Sequence, residues 1–132
     1  MFTDFLNIKV ELVSIISSKP SGFLIQSSYG EKGNFEVVAP LANGNGFANL
    51  WRDNDKDLTW NQRIIDTVDG QPVGKIDSIS LVQANNFGTP GLGDFNAIAR
   101  IGDQLQLFWM SDITKEWHRG ELLPGSGYSG NP

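Results

Sequence analysis

Four tryptophans stand at recurring places in the chain, Trp51 and Trp109 near the ends of one kind of apolar run, Trp60 and Trp117 at the starts of the next. An indole beside polar side chains suits a sugar: the C–H faces pack on the ring while convergent donors and acceptors take the hydroxyls. Arg52, Asp53, Asn54 and Asp55 follow Trp51 directly and supply such groups. Gln26 and Gln83 recur inside otherwise apolar runs. A buried amide left unpaired costs about 1–3 kcal/mol, so each glutamine is expected to make a repeated hydrogen bond, to neighbouring structure or to a ligand. The candidate ligand-binding set is therefore Trp51, Arg52, Asp53, Trp109, Gln26 and Gln83. The same indoles also serve as packing, the role expected first for Trp60 and Trp117. If Trp60 is core, its replacement by alanine costs about 3–5 kcal/mol.

Other chemistry finds less support. The run Asp53-Asn54-Asp55-Lys56-Asp57 places oxygens at alternate positions, as a calcium loop does. It lacks the glycine and distal glutamate of an EF-hand, and its counterpart reads Ser111-Asp112-Ile113-Thr114-Lys115. A solvated acidic loop accounts for it better, and no metal is expected. His118 is the only histidine, cysteine is absent, and no serine lies in a G-x-S-x-G elbow, so no nucleophile and base can be paired. Carboxylates such as Glu36 and Asp53 could serve glycoside hydrolysis, but no spacing singles out a pair. Gly30 with Gly33, and Gly88 with Gly91 and Gly93, sit between strands and open no helix, which removes a phosphate cradle. No catalytic residue and no cofactor are expected.

These residues recur because the chain is written twice. Residues 22–60 align with 80–117 at offsets of 57 to 60: Gln26 with Gln83, Phe35 with Phe95, Trp51 with Trp109, Trp60 with Trp117. Such a period, filled with short strands and glycine turns, marks a repeat architecture whose units bury their apolar faces on one another. At 132 residues, 39% hydrophobic and 19% charged, the chain has the composition of a soluble globular protein. A net charge of -5 with ten scattered basic residues argues against nucleic acid as a partner. No apolar stretch nears the ~18 residues of a membrane span. The first twenty residues lack the pattern of a signal peptide, and the sequence assigns no compartment.

Each repeat is punctuated as four strands. Runs 23–28, 34–41, 47–52 and 60–67 are expected in the first, and 79–85, 94–101, 104–111 and 116–123 in the second, with Gly102-Asp103 as a two-residue hairpin turn. Asn34 and Asp94 are expected to bond their own backbone before the second strand begins. A further strand is expected over 9–17, rich in β-branched residues. Phe35, Val37 and Ala39 share one face and Glu36, Val38 and Pro40 the other. A sheet apolar on both faces has to be sandwiched between neighbours.

The phrases Leu24-Ile25-Gln26-Ser27, Gly33-Asn34-Phe35-Glu36-Val37-Val38-Ala39-Pro40-Leu41, Leu50-Trp51-Arg52-Asp53-Asn54-Asp55 and Leu58-Thr59-Trp60 resemble the repeat of the bacterial β-propeller lectins of the Photorhabdus type. The resemblance covers about residues 18–123 and is closer in the first unit. In the second, Met110-Ser111-Asp112 stands for Arg52-Asp53-Asn54 and Arg100 for Pro40. It implies an all-β fold of two four-stranded antiparallel propeller blades, 21–68 and 77–124, with 9–20 as a strand of a preceding or shared blade and 125–132 beginning the next linker. Two blades close only as an oligomer or as part of a longer propeller. The implied function is multivalent, non-enzymatic binding of glycans, fucosylated or methylated, by a homo-oligomer without membrane insertion. The alternative is a structural or protein-interaction propeller that binds no sugar, favoured by the loss of arginine at Met110.

Overall fold

The computed structural model describes residues 22–85 and 93–132. The strand expected over 9–17 and the glycines Gly88 and Gly91 lie outside the described residues. Ten strands are present among the described residues: β1 (Phe23–Gln26), β2 (Phe35–Pro40), β3 (Phe47–Arg52), β4 (Trp60–Ile65), β5 (Thr67–Val68), β6 (Gln71–Pro72), β7 (Ser78–Gln83), β8 (Phe95–Ile101), β9 (Gln104–Met110) and β10 (Trp117–Leu122). They form two four-stranded meanders, β1-β2-β3-β4 and β7-β8-β9-β10, and a β5-β6 ribbon, all antiparallel. The chain is therefore all-β, as its alternation and turn chemistry require.

The turns explain the boundaries. Gly102 has φ 63 at the first central position of the β8–β9 turn, where a type II′ hairpin needs glycine. Asp69 and Gly70 have φ 51 and 77, the type I′ pair that folds β5 onto β6. The loops after β3 and β9 each hold one side-chain residue in the left-handed region, Leu58 at φ 60 and Lys115 at φ 61.

The two repeats agree down to single hydrogen bonds. Ser27 N–H donates to the Asn34 carbonyl at 2.8 Å and Ala84 N–H to that of Asp94 at 2.7 Å. The side chains of Asn34 and Asp94 do not turn onto their own backbone. Each accepts from the loop after the third strand of its sheet, from Asn54 N–H at 3.3 Å and Asp112 N–H at 3.0 Å. That loop is about twenty residues away in sequence and adjacent in space, so these residues tie one end of each sheet together.

Gly33 and Gly93 are fixed by the same strand ends. A Cβ at Gly93 would lie 2.0 Å from the Ala84 carbonyl oxygen, and one at Gly33 2.4 Å from that of Ser27. Gly93→Ala is expected to cost about 1–3 kcal/mol, because the added Cβ overlaps the Ala84 carbonyl and forces the strand ends apart. Gly70→Asn, at a φ of 77 with open space around it, is expected to be nearly neutral. Urea unfolding of the two variants checks both values, and a neutral Gly93→Ala would refute the close approach.

The sheets pack on each other through unlike faces. In the first, the rows Ile25–Glu36–Trp51–Asn61, Val38–Asn49–Arg63 and Pro40–Phe47–Ile65 turn toward the second sheet. The second answers with Phe95–Met110–Trp117 and Leu81–Ala97–Phe108–Arg119. Between them lies the core, in which Phe47 meets Trp117 edge-on at 5.0 Å and Phe108 at 6.0 Å. Val68, Val73 and Ile76, from the segment joining the sheets, plug one end. Trp117 is 5% exposed and Trp60 36% exposed, so only the former is core packing. Trp60 lies on the opposite face, with Arg52 and Phe35.

Candidate functional site

A cavity of about 200 Å³ opens between the sheets, lined by Tyr29, Asn34, Glu36, Asn49, Trp51, Arg63, Met110 and Lys115. Strand pairing builds most of it. Glu36 and Trp51 are direct cross-strand neighbours on β2 and β3, and Asn49 and Arg63 occupy the adjacent row on β3 and β4. Tyr29 comes from the turn after β1, its ring 5.2 Å from that of Phe95 and its hydroxyl donating to the Gly93 carbonyl at 3.2 Å. The second sheet contributes Met110 and, from the loop after β9, Lys115. The left-handed backbone at Lys115 turns its side chain back, so that Nζ sits 3.7 Å from the Tyr29 ring centre.

Asn49 ties the cavity to the core. Its Oδ1 accepts from the Trp117 indole N–H at 3.3 Å, and its amide N–H donates to the Val37 carbonyl at 3.4 Å. Arg63 is held by two contacts across the seam, Nη2 to the Lys115 carbonyl at 2.7 Å and to the Met110 sulfur at 3.5 Å. Its Nε is buried with no hydrogen-bond partner among the described residues. A buried donor left so costs about 1–3 kcal/mol.

The electrostatics follow from burial. Glu36 is 4% exposed, and loss of hydration pushes its pKa up to about 8, against the opposing charges of Lys115 and Arg63. It is thus a neutral acid near pH 7, able to donate as well as accept. Burial lowers the Lys115 ammonium from its usual value, opposed by Asp112, Glu36 and Asp94. The Tyr29 hydroxyl is pushed upward by burial and by the same three carboxylates. It keeps its proton. The cavity therefore sets Trp51, Glu36, Arg63 and Asn34 on the side of the first sheet against Met110 and Lys115 on the side of the second.

Of the six residues expected to bind ligand, Trp51 alone lines this cavity. Gln83 lies at the same seam, where Oε1 accepts from Ser28 N–H at 2.7 Å and from its hydroxyl at 3.1 Å, while Nε2 donates to Gly93. Gln26 makes the matching turn bond, Nε2 to the Lys32 carbonyl at 2.9 Å. Arg52 points to the other face of the first sheet, its guanidinium 4.7 Å from the Phe35 ring centre and 6.0 Å from that of Trp60, with Nε on Asn54. Asp53 accepts from Asp55 N–H in the acidic loop and pairs loosely with Lys56 at 3.9 Å. Asp55 of that loop is committed to the backbone N–H groups of Glu31 and Lys32. Trp109 lies on the far face of the second sheet, its ring 4.5 Å from His118.

Tyr29, Glu36, Asn49, Arg63 and Lys115 were missed. Two had a visible signal: Glu36 and Asn49 are polar residues inside the apolar runs of β2 and β3, where a charge or amide needs a reason to be buried. Comparison with protein-family models, curated proteins and solved structures finds no match to the chain.

Proposed function

We propose that the chain is a carbohydrate-binding module that takes one sugar ring between its two sheets, the sheets being neighbouring blades of a β-propeller. The observation that carries the reading is the pairing, in one cavity, of the half-buried Trp51 indole with hydrogen-bonding groups from Asn34, Glu36 and Arg63. At about 200 Å³ the cavity is smaller than the ~300–1,000 Å³ of drug-sized sites and fits a single small polar ring. A sugar C–H face lies on Trp51, and hydroxyls meet Glu36, Arg63 and Asn34. Met110 offers a soft apolar contact that a deoxy sugar's methyl group, or a methoxy group, would fill. This supports fucosylated or methylated glycans, the ligands implied by the resemblance to Photorhabdus-type lectins. Binding needs no catalytic group and no metal.

A glycan array printed with fucosylated and methylated ligands tests the reading. Trp51→Ala is expected to weaken binding about 30-fold or more, the ~2 kcal/mol scale of an aromatic anchor, while the thermal transition persists. Silence from the folded wild-type protein would instead favour a scaffold or protein-interaction role.

A further inference from the structure

The interface between the two sheets joins faces of different kinds, and each sheet leaves outward the kind that the other has buried. Phe95–Met110–Trp117, buried at the seam, is the counterpart of Phe35–Arg52–Trp60 on the far face of the first sheet. The cavity row Ile25–Glu36–Trp51–Asn61 is the counterpart of Val82–Asn96–Trp109–His118 on the far face of the second. Both far faces expose apolar side chains. On the first, Leu41, Ala48 and Leu50 form a small buried cluster, around which Leu24 is 58% exposed, Ile64 43% and Trp60 36%. On the second, Val82 is 58% exposed.

We propose that a second copy of this chain docks the far face of its first sheet onto the far face of the second sheet, repeating between copies the seam that exists within one. The occupant is a second copy because the two faces match each other by the repeat. Gln83 accepts from Ser28 across the internal seam at 2.7 Å. Gln26, held to its own turn through the Lys32 carbonyl at 2.9 Å, would accept from Asn85, the counterpart of Ser28, across the external one. The segment joining the sheets reaches the second sheet past the β2–β3 turn, where Gly46 N–H donates to the Gly74 carbonyl at 2.8 Å. The C-terminal tail passes the equivalent β8–β9 turn, Tyr128 N–H donating to the Asp103 carbonyl at 3.0 Å. It therefore runs toward the face where the next sheet is to sit.

Such contacts are heterologous and build a ring, or an open stack if the rotation does not close. They also complete a second site. Met110 and Lys115 wall the cavity beside Trp51, and their counterparts Arg52 and Leu58 of the second copy would wall a cavity beside Trp109, Asn96 and His118. Trp109, Arg52 and Gln26, apart within one chain, would meet there. The docking rests on the repeat, and only the ligand of the second site rests on sugar binding.

Sedimentation velocity of the full chain without sugar tests the docking. The wild type is expected at a multiple of 14.5 kDa. Ile64→Lys and Val82→Lys, each placing a charge at an exposed position of one far face, are expected to sediment as single chains. An equimolar mixture of the two retains one intact pair of faces, so it should give a one-to-one dimer that grows no further. Trp51→Ala should leave the mass unchanged, which separates a failure of sugar binding from a failure of assembly. A wild type that stays a single chain up to millimolar concentration overturns the proposal. So does a variant that self-assembles as the wild type does, or a mixture that stays monomeric.

Discussion

Replacing Trp117 by alanine is expected to cost about 3–5 kcal/mol of folding free energy, whereas the same change at Trp60 is expected to cost about 1 kcal/mol or less. The two residues occupy the same position in the two repeats. Trp117 is 5% exposed, meets Phe47 edge-on at 5.0 Å and donates its indole N–H to Asn49 Oδ1 at 3.3 Å. Its loss opens a cavity between the sheets, forfeits an aromatic contact of about 0.5–1.5 kcal/mol and leaves Asn49, 2% exposed, without its donor. Trp60 is 36% exposed, and its nearest charged partner is the Arg52 guanidinium 6.0 Å away. An exposed contact of that kind is worth about 0.5–1 kcal/mol. Since small domains hold roughly 5–15 kcal/mol in total, the Trp117 variant should be near its folding limit at room temperature. Urea unfolding at a concentration where both variants are single chains reads the difference. Equal losses would mean that the two sheets bury the same face, against the packing described above.

Strands were legible because their signals are local. The expected runs 34–41 and 104–111 differ from β2 (Phe35–Pro40) and β9 (Gln104–Met110) by a residue at either end or both. The fourth run, 60–67, was drawn too long. The chain stops pairing at Ile65, and Thr67 opens the β5-β6 ribbon around Asp69-Gly70, a two-residue I′ signal whose flanks of two residues each are too short to register as strands. Parity alone could not say which face of β2 is inward, because Val37 and Val38 are both apolar. What decides it is the seam, where Val38 is wholly buried. The roles of Asn34 and Asp94 were invisible for the same reason, since their partners are neighbours only in the folded sheet.

The site is harder to read in the sequence than the strands, because recurrence does not mark it. Recurring residues do what both repeats need, and Gln26 and Gln83 hold the same turn. A cavity between unlike faces draws its walls from positions that are not equivalent. Glu36 has Asn96 as its counterpart, and Arg63 aligns with the bulged end of β10, near Gly120, so neither stood out in the comparison of repeats. The polar residues that break the repeat are the ones that give the cavity its chemistry. Trp51 was found because an indole there satisfies both criteria.

Wild-type stability is expected to fall as the pH rises from about 5 to about 8, and Glu36→Gln is expected to remove that fall. Burial raises the folded pKa of Glu36 to about 8 from the ordinary 4.5, so between these values the folded protein holds a proton that the unfolded chain releases. The contribution is complete below the unfolded value and lost as the pH passes through the folded one. At 1.36 kcal/mol per unit the full loss is at most about 4–5 kcal/mol. Glutamine keeps the size and neutrality of the protonated acid but has nothing to titrate. The variant should therefore match the wild type near pH 5 and exceed it near pH 9. Lys115, lowered by burial, works in the opposite direction in the alkaline range, where its stabilising contribution is lost as the pH falls through its folded pKa. Both proteins carry it, and Glu36 acts on it only once ionised, so the difference between their urea midpoints up to about pH 8 reads Glu36. Sugar affinity should follow the same proton: the wild type weakens above about pH 8 as the carboxyl loses its donor, and the glutamine variant does not. If wild type and variant lose stability in parallel, the titrating group is elsewhere, and Glu36 is ionised inside the cavity, balanced by Arg63 and Lys115.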